Sequence, residues 1–335
     1  MNPGGSTATD GRARAQHRRF PRLRARFEKR YARERDARFI EMDIARFPYM
    51  GFGATIGWIH AVYVACDMLG ARLLVLNPSR WPFGGNTADG AIDRFLEFPE
   101  ADLRQASTPG ALPYQIGSWD NLRCWGYYDP LDLPTCTFGY RPPRFATLDD
   151  YRRDLMRRMY RPTAFVRGEL DRALDFCPSR YIAWHARRGD KTSGVWKEDE
   201  AVPLSRYCEE TRAILQRDPA APRVVVLCSD SPLVLDEARD EARRMGLEVE
   251  FIADPAEKRW DGYCALQRTG KITSTAEVVA EVLTAQKNIE VMRAAEYLLG
   301  CNSSCLFRVA ALLRADGDTV TSFSENKVYK KYYPI

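Results

Sequence analysis

Histidine is scarce in this chain. His17, His60 and His185 are the only three among 335 residues. The nine cysteines are scattered, odd in number and form no C-x-x-C pair. A zinc site built from His and Cys at ligand spacing is therefore not expected, and scattered thiols suit a reducing compartment. Long apolar runs are missing too. The most apolar stretch, 56–77, is broken by His60, Asp67 and Arg72, so no membrane span is expected. The basic start is not followed by the apolar segment of a signal peptide. The expectation is a cytoplasmic protein, with a Golgi enzyme cut free of its anchor as the exception. No internal repeat occurs, and no low-complexity linker beyond the first 38 residues.

Net charge is +5, but unevenly spread. Residues 1–38 hold twelve Arg and Lys against four acids, which leaves the rest of the chain slightly acidic. Such an arm reads as a solvated, flexible tail, or as a contact to nucleic acid or acidic lipid. No basic face interleaved with aromatics follows it, so no nucleic-acid partner is expected. A length of 335 residues favours two domains.

Periodicity gives an α/β order. A strand is expected at 39–50, then a glycine loop Gly51–Gly57, a helix at 58–69 ended by Gly70, and a strand at 72–77. This β–loop–α–β unit carries a right-handed crossover. Residues 78–145, rich in Pro, Gly, Trp and Tyr, read as long loops lining a cleft. Helices follow at 148–159 and 163–176. A second half restarts with a buried strand at 181–184, then a helix at 203–217, a strand at 223–228, a helix at 233–245, a strand at 247–253, a long helix at 274–292, a short strand at 295–300 and a helix at 306–313. The division falls into an arm at 1–38, an N-terminal α/β domain at 39–175 and a C-terminal Rossmann-like domain at 176–335. Two α/β halves face each other across a cleft.

The densest chemistry lies in His185-Ala186-Arg187-Arg188-Gly189-Asp190-Lys191, at the end of the apolar run 181–184. Six of these seven residues are charged, ionisable or glycine. Three cations against one Asp call for an anion, and the planar fork of Arg fits phosphate in a bidentate way. Ligands of open α/β sheets bind beyond the carboxyl ends of strands. Gly51 and Gly53 open a helix whose amides suit an anion, or they form a packing loop. Ser229-Asp230-Ser231-Pro232 reads as an N-cap with Pro in the first turn, facing the same cleft. Asn302-Ser303-Ser304 offers a second phosphate cradle or a plain cap. Lys197-Glu198-Asp199-Glu200 is a solvated charge run in which one acid could serve as a general base. Asp316-Gly317-Asp318 reads as a surface turn. No acid cluster calls for a divalent metal, since an Arg pair can stabilise a departing diphosphate instead.

In this order the blocks resemble glycosyltransferase family 23, the α1,6-fucosyltransferases. His185 to Lys191 matches the family's His-x-Arg-Arg-x-Asp-Lys block. Met159-Tyr160-Arg161-Pro162, the Gly51–His60 segment, Trp81-Pro82-Phe83, strand 223–228 with Ser229-Asp230, and 295–309 with Ser303, Ser304 and Arg308 resemble its other blocks. The resemblance implies a GT-B fold of two facing Rossmann-like domains, GDP-β-L-fucose as donor, a glycan acceptor, inversion at the anomeric carbon and no metal or other cofactor. It implies that Arg187 and Arg188 bind the diphosphate, with Arg187 indispensable. His185 falls on the guanine side, Lys191 supports the leaving phosphate, and Ser304 donates to a phosphate oxygen. Asp230 and Tyr207 orient the sugar, and Asp190 and Ser303 complete the donor-binding set. The base is Glu198, with Glu200 competing because the loop is longer here. Two departures matter. Asn288 stands where the family has a guanine-contacting acid, and Ser231 replaces the second Asp of its Thr-Asp-Asp block. The same fold with another nucleotide sugar, or a glycan-binding module without catalysis, are the rival readings. The sequence leaves the oligomeric state and the acceptor open.

Overall fold

A computed structural model describes residues 39–46, 51–81, 83–85, 87–104, 111–116, 141–189, 192, 200–254 and 274–323. Two parallel sheets organise them. The first takes its strands in the spatial order β4-β2-β1-β5, from β1 (Phe39–Asp43), β2 (Arg72–Leu76), β4 (Ala101–Arg104) and β5 (Ala111–Ile116). The second runs β11-β10-β7-β8-β9, from β7 (Ile182–His185), β8 (Val224–Cys228), β9 (Glu250–Ala253), β10 (Tyr297–Gly300) and β11 (Val320–Ser322). A two-stranded antiparallel ribbon joins β3 (Leu96–Glu97) to β6 (Arg161–Pro162). All strands of the first sheet precede residue 175 and all of the second follow it.

Both sheets reverse their strand order at the first strand of the unit. In the second sheet β7 pairs with β8 on one side and β10 on the other, parallel to both. This is the doubly-wound order, whose ligand crevice opens between the two strands flanking the reversal. Ile182-Ala183-Trp184-His185 is buried at every position, as a parallel strand covered on both faces must be. Register is held by Ile182 against Val225 and His185 against Cys228.

The helices keep the expected apolar spacing, with sharp ends where caps exist. α3 (Leu148–Met159) opens on a reciprocal capping box between Thr147 and Asp150, and the long α7 (Thr275–Ala294) on another between Ser274 and Glu277. The remaining long helices are α1 (Phe52–Leu69), α4 (Ala164–Ala173), α5 (Leu204–Arg217), α6 (Val234–Arg244) and α8 (Cys305–Leu313); α2 (Ile92–Phe95) is a single turn. Gly70 ends α1 in the left-handed region, φ 65°, with its amide on the Cys66 carbonyl. Helix α8 packs against α1, α3 and α7. One apolar cluster therefore runs from Met42 and Trp58 through Leu155 to Ile289 and Phe307, across residues of both sheets' units. Among the described residues no helix is long and apolar enough to cross a membrane.

Several expectations are corrected. The Gly51–Gly57 loop does not form, because α1 begins at Phe52 and takes Gly53 and Gly57 into its first turns, leaving Gly51 as N-cap. The first strand ends at Asp43 and is followed by a short 3-10 turn, Ile44–Arg46. The expected loop region 78–145 contributes α2, β3, β4 and β5. The Ser229–Pro232 cap is absent: α6 starts later, after Leu233, with no side-chain cap.

Gly53 is required by close approach. A Cβ there would lie 2.7 Å from the Leu306 amide nitrogen and 2.9 Å from the Cys305 carbonyl carbon. These are backbone atoms that cannot swing aside. Gly53→Ala should lower unfolding stability by about 1 kcal/mol or more, overpacking of about 1–3 kcal/mol exceeding the gain in helix propensity. Gly168→Ala, in exposed helix with no atom within 4 Å of the new Cβ, should raise it by about 0.5–1 kcal/mol. Urea unfolding of both variants checks the opposite signs.

Candidate functional site

The second sheet's carboxyl edge gathers three loops. After β7 come Ala186 to Gly189, after β8 Ser229 and Asp230, and after β10 Asn302 to Ser304. Their cross-bonds fix one another. The Asp230 carboxylate accepts the Arg188 amide at 2.6 Å, and the Ser229 hydroxyl donates to the Ala186 carbonyl at 2.6 Å. Gly189 lies so close that a Cβ there would fall 2.5 Å from Asp230 Oδ2. The serine and aspartate that the sequence marked as a helix cap thus hold the neighbouring strand's loop instead.

Across the strand-order reversal, Arg187 Nη1 donates to the Ser303 carbonyl at 3.3 Å. Ser304 is the N-cap of α8, its Oγ accepting the Phe307 amide at 3.5 Å and lying 3.3 Å from His185 Nε2. A half-buried guanidinium is therefore held beside a helix N-terminus whose dipole has the same sign preference for anions. Gly53, at the start of α1, abuts Cys305 and Leu306. The beginnings of one helix from each half meet at this edge.

His185 is 7% exposed. Burial pushes its imidazole down to about 4, with the Arg187 charge acting in the same direction and Asp230 opposing it. The ring is neutral at physiological pH. Its Nδ1 is a buried atom without a hydrogen-bond partner among the described residues, as is Asn302 Oδ1. Beneath the strand, the Tyr207 hydroxyl donates to the His185 carbonyl at 2.7 Å and its ring packs on Trp184 and Phe323. At 1% exposure Tyr207 sits in the core. It is placed to hold the strand end rather than to meet a sugar.

Arg188 is turned differently from Arg187. Its Nη1 donates to the Val202 and Arg187 carbonyls at 3.0 and 3.2 Å, and its Nε lies 3.7 Å from the Glu237 carboxylate. Sequence reasoning misses Glu237, on α6; a lone acid on a charged helix carries no signal of a partner 49 positions away. Asn288 is half-buried on α7, beside Lys287, which pairs with Asp254 just beyond β9. Glu200 is exposed, two residues before Val202. Asp190, Lys191 and Glu198 lie outside the described residues, as does most of the Trp- and Tyr-rich stretch after 116. Gly51 caps α1 without a side-chain bond.

No protein-family model matches the chain, and no curated protein matches it. Solved structures do align with it. The fucosyltransferase NodZ from Bradyrhizobium aligns at 16% identity over 87% of this chain and 97% of its own, with a TM-score of 0.48. An Arabidopsis thaliana FUT1 variant in complex with GDP aligns at 13% over 93% and 79%, TM-score 0.47. POFUT1 in complex with GDP aligns at 8% over 86% and 98%, TM-score 0.43. Likenesses this distant carry no argument about the chemistry of this chain; its own residues do.

In the first sheet the matching position is Asp43, at the end of β1. Its Oδ1 accepts from Asn77 Nδ2 at 2.9 Å and the Ala45 amide at 3.1 Å. This acid has no signal in the sequence, where it falls inside the strand expected at 39–50.

A second, half-buried histidine sharpens the acid behaviour. Burial, and then the Arg152 charge, push His60 down to about 4. Both rings thus have folded-state values below the unfolded 6.5, so unfolding takes up protons between pH 6.5 and about 4. Stability should fall as pH drops through that window and stop responding to these groups below it. Each His can remove up to about 3 kcal/mol. Urea unfolding at about pH 7 and about pH 4.5, on either side of most of that window, checks this, and His60→Gln should flatten the slope; an unchanged slope would contradict a neutral ring.

Proposed function

We propose that this chain is an inverting glycosyltransferase of the GT-B type, transferring L-fucose from GDP-β-L-fucose to a glycan hydroxyl without a metal ion. The observation that carries the reading is the Arg187 guanidinium, set across the strand-order reversal beside the N-terminus of α8. A cation and a helix N-terminus at a doubly-wound crevice suit a nucleotide diphosphate. The His-x-Arg-Arg-x-Asp-Lys resemblance supplies the donor's identity.

In this reading residues 176–335 bind the donor, 39–175 face the acceptor and 1–38 form a basic arm; the enzyme works in the cytoplasm. Glu198 or Glu200 takes the proton of the acceptor hydroxyl as that oxygen bonds to C1 of fucose. The bond from C1 to the β-phosphate oxygen breaks, and negative charge gathers on the departing phosphate. Arg187, Lys191 and the α8 N-terminus at Ser304 neutralise it, and they do so better in the transition state than in the ground state. Asp190, Asp230 and Ser303 shape the loops around the donor. Neutral His185 lies toward the base without adding charge. Asn288, where the resembling family has an acid, favours a second reading with another nucleotide sugar.

A donor screen scored by released nucleotide tests both readings. GDP-fucose should release GDP in the presence of a glycan acceptor and excess EDTA, whereas UDP- and CDP-sugars should not. Release from a UDP-sugar alone would select the second reading. Arg187→Lys should remain folded and lose roughly 100-fold or more in turnover, because one point charge replaces a bidentate fork. Near-normal turnover in that variant would reject the role given to Arg187.

A further inference from the structure

We infer that Arg188 is a positioning residue: it holds the Arg187 backbone and the chain at Val202 in register and does not bind the diphosphate. This rests on the proposed donor site, and it parts from the role that the family resemblance gives to the second arginine.

The hydrogen bonds of the Arg188 side chain are already committed. The Arg188 side chain is 18% exposed and reaches two main-chain carbonyls, Arg187 and Val202, with Glu237 alongside. Its own amide is taken by Asp230. Val202 immediately precedes Pro203, the N-cap of α5. The side chain therefore ties the start of the 189–201 span to its end, and Glu200 lies at that end. Turning the guanidinium to a diphosphate would give up both carbonyls and leave Glu237 without its cation.

The surroundings disfavour an anion there as well. Arg188 lines a surface pocket of about 500 Å³ with Ser205, Arg244 and the acids Glu237, Asp240 and Glu241. Neither Arg187 nor Ser303 borders it. Asp240 and Glu241 are paired with Arg243 and Arg244, so Glu237 is the acid that faces Arg188 and competes with a diphosphate for it, whereas the Arg187 side of the strand has a helix N-terminus. Arg fits this task and Lys does not: two carbonyls and a carboxylate in different directions need a planar fork of donors.

Calorimetric GDP titration and turnover of Arg187→Lys, Arg188→Lys and Glu237→Gln test the proposal. Arg188→Lys should bind GDP within about threefold of the unsubstituted protein yet lose roughly 10- to 100-fold in kcat through misplacement of reacting groups. Arg187→Lys should lose roughly 10-fold or more in GDP affinity. Glu237→Gln, at a half-exposed carboxylate, should leave GDP affinity unchanged and lower kcat more mildly. A GDP loss in Arg188→Lys equal to that in Arg187→Lys would overturn the positioning role and leave the donor reading intact. If the unsubstituted protein binds no GDP, the donor reading fails, and amide hydrogen exchange in the first turn of α5, at Arg206 and Tyr207, decides the rest. Exchange there should be faster in Arg188→Ala than in the unsubstituted chain at equal global stability; equal rates would overturn the tie between Arg188 and Val202.

Discussion

The contact between Arg187 and the Ser303 carbonyl is the point on which the second half of the molecule turns. It joins the loop after β7 to the loop after β10, beyond the end of the ladder that pairs those two strands and at the point where the strand order reverses. A cation fixed there has two consequences at once. It lowers the proton affinity of buried His185 and it adds to the positive end of α8. The cost of holding charge near a low-dielectric core is offset by the hydrogen bond to the Ser303 carbonyl and by the half-buried position.

Around that point the loops are braced by neighbouring side chains. Asp230 holds the Arg188 amide, Ser229 holds the Ala186 carbonyl and Tyr207 holds the His185 carbonyl. Each group spends its polar atom on the backbone of the strand that carries the arginines. The meeting of α1 and α8 at Gly53 adds a second constraint. Two helix beginnings approach so closely that the absence of one methyl group decides whether they fit, and the first half of the chain is thereby tied to the edge where the ligand is proposed to lie. Rigid placement of this kind is what lets a single guanidinium act on charge that develops during a reaction.

Much of this is legible in the sequence, and the rest is hidden for physical reasons. The buried strands at 182–185 and 224–228 announce themselves because a parallel strand covered on both faces has no polar positions to mislead. The helices expected from 148 and 274 begin where the capping boxes of Thr147 and Ser274 place them, because such boxes are local. The glycines at 51–57 mislead, because glycine spacing reads as loop while the tertiary need at Gly53 is a close helix contact, which overrides propensity. The directions of Arg187 and Arg188 are not readable at all. Adjacent residues beyond a strand point to different sides, and which one meets α8 and which one meets Glu237 depends on elements more than forty positions away. Tyr207 shows the same limit, since its pattern on α5 is that of any core aromatic and its bond to His185 is visible only in three dimensions.

The central claim is that Arg187 and the α8 N-terminus together hold the diphosphate of a nucleotide sugar. A crystal structure of the protein with GDP bound tests it most directly. β-Phosphate oxygens should lie at about 3 Å from the Arg187 guanidinium and from donors at Ser304, with Arg188 still on the Val202 carbonyl. A diphosphate bound by Arg188 in the acid-lined pocket, or one seated away from Arg187 altogether, would contradict it.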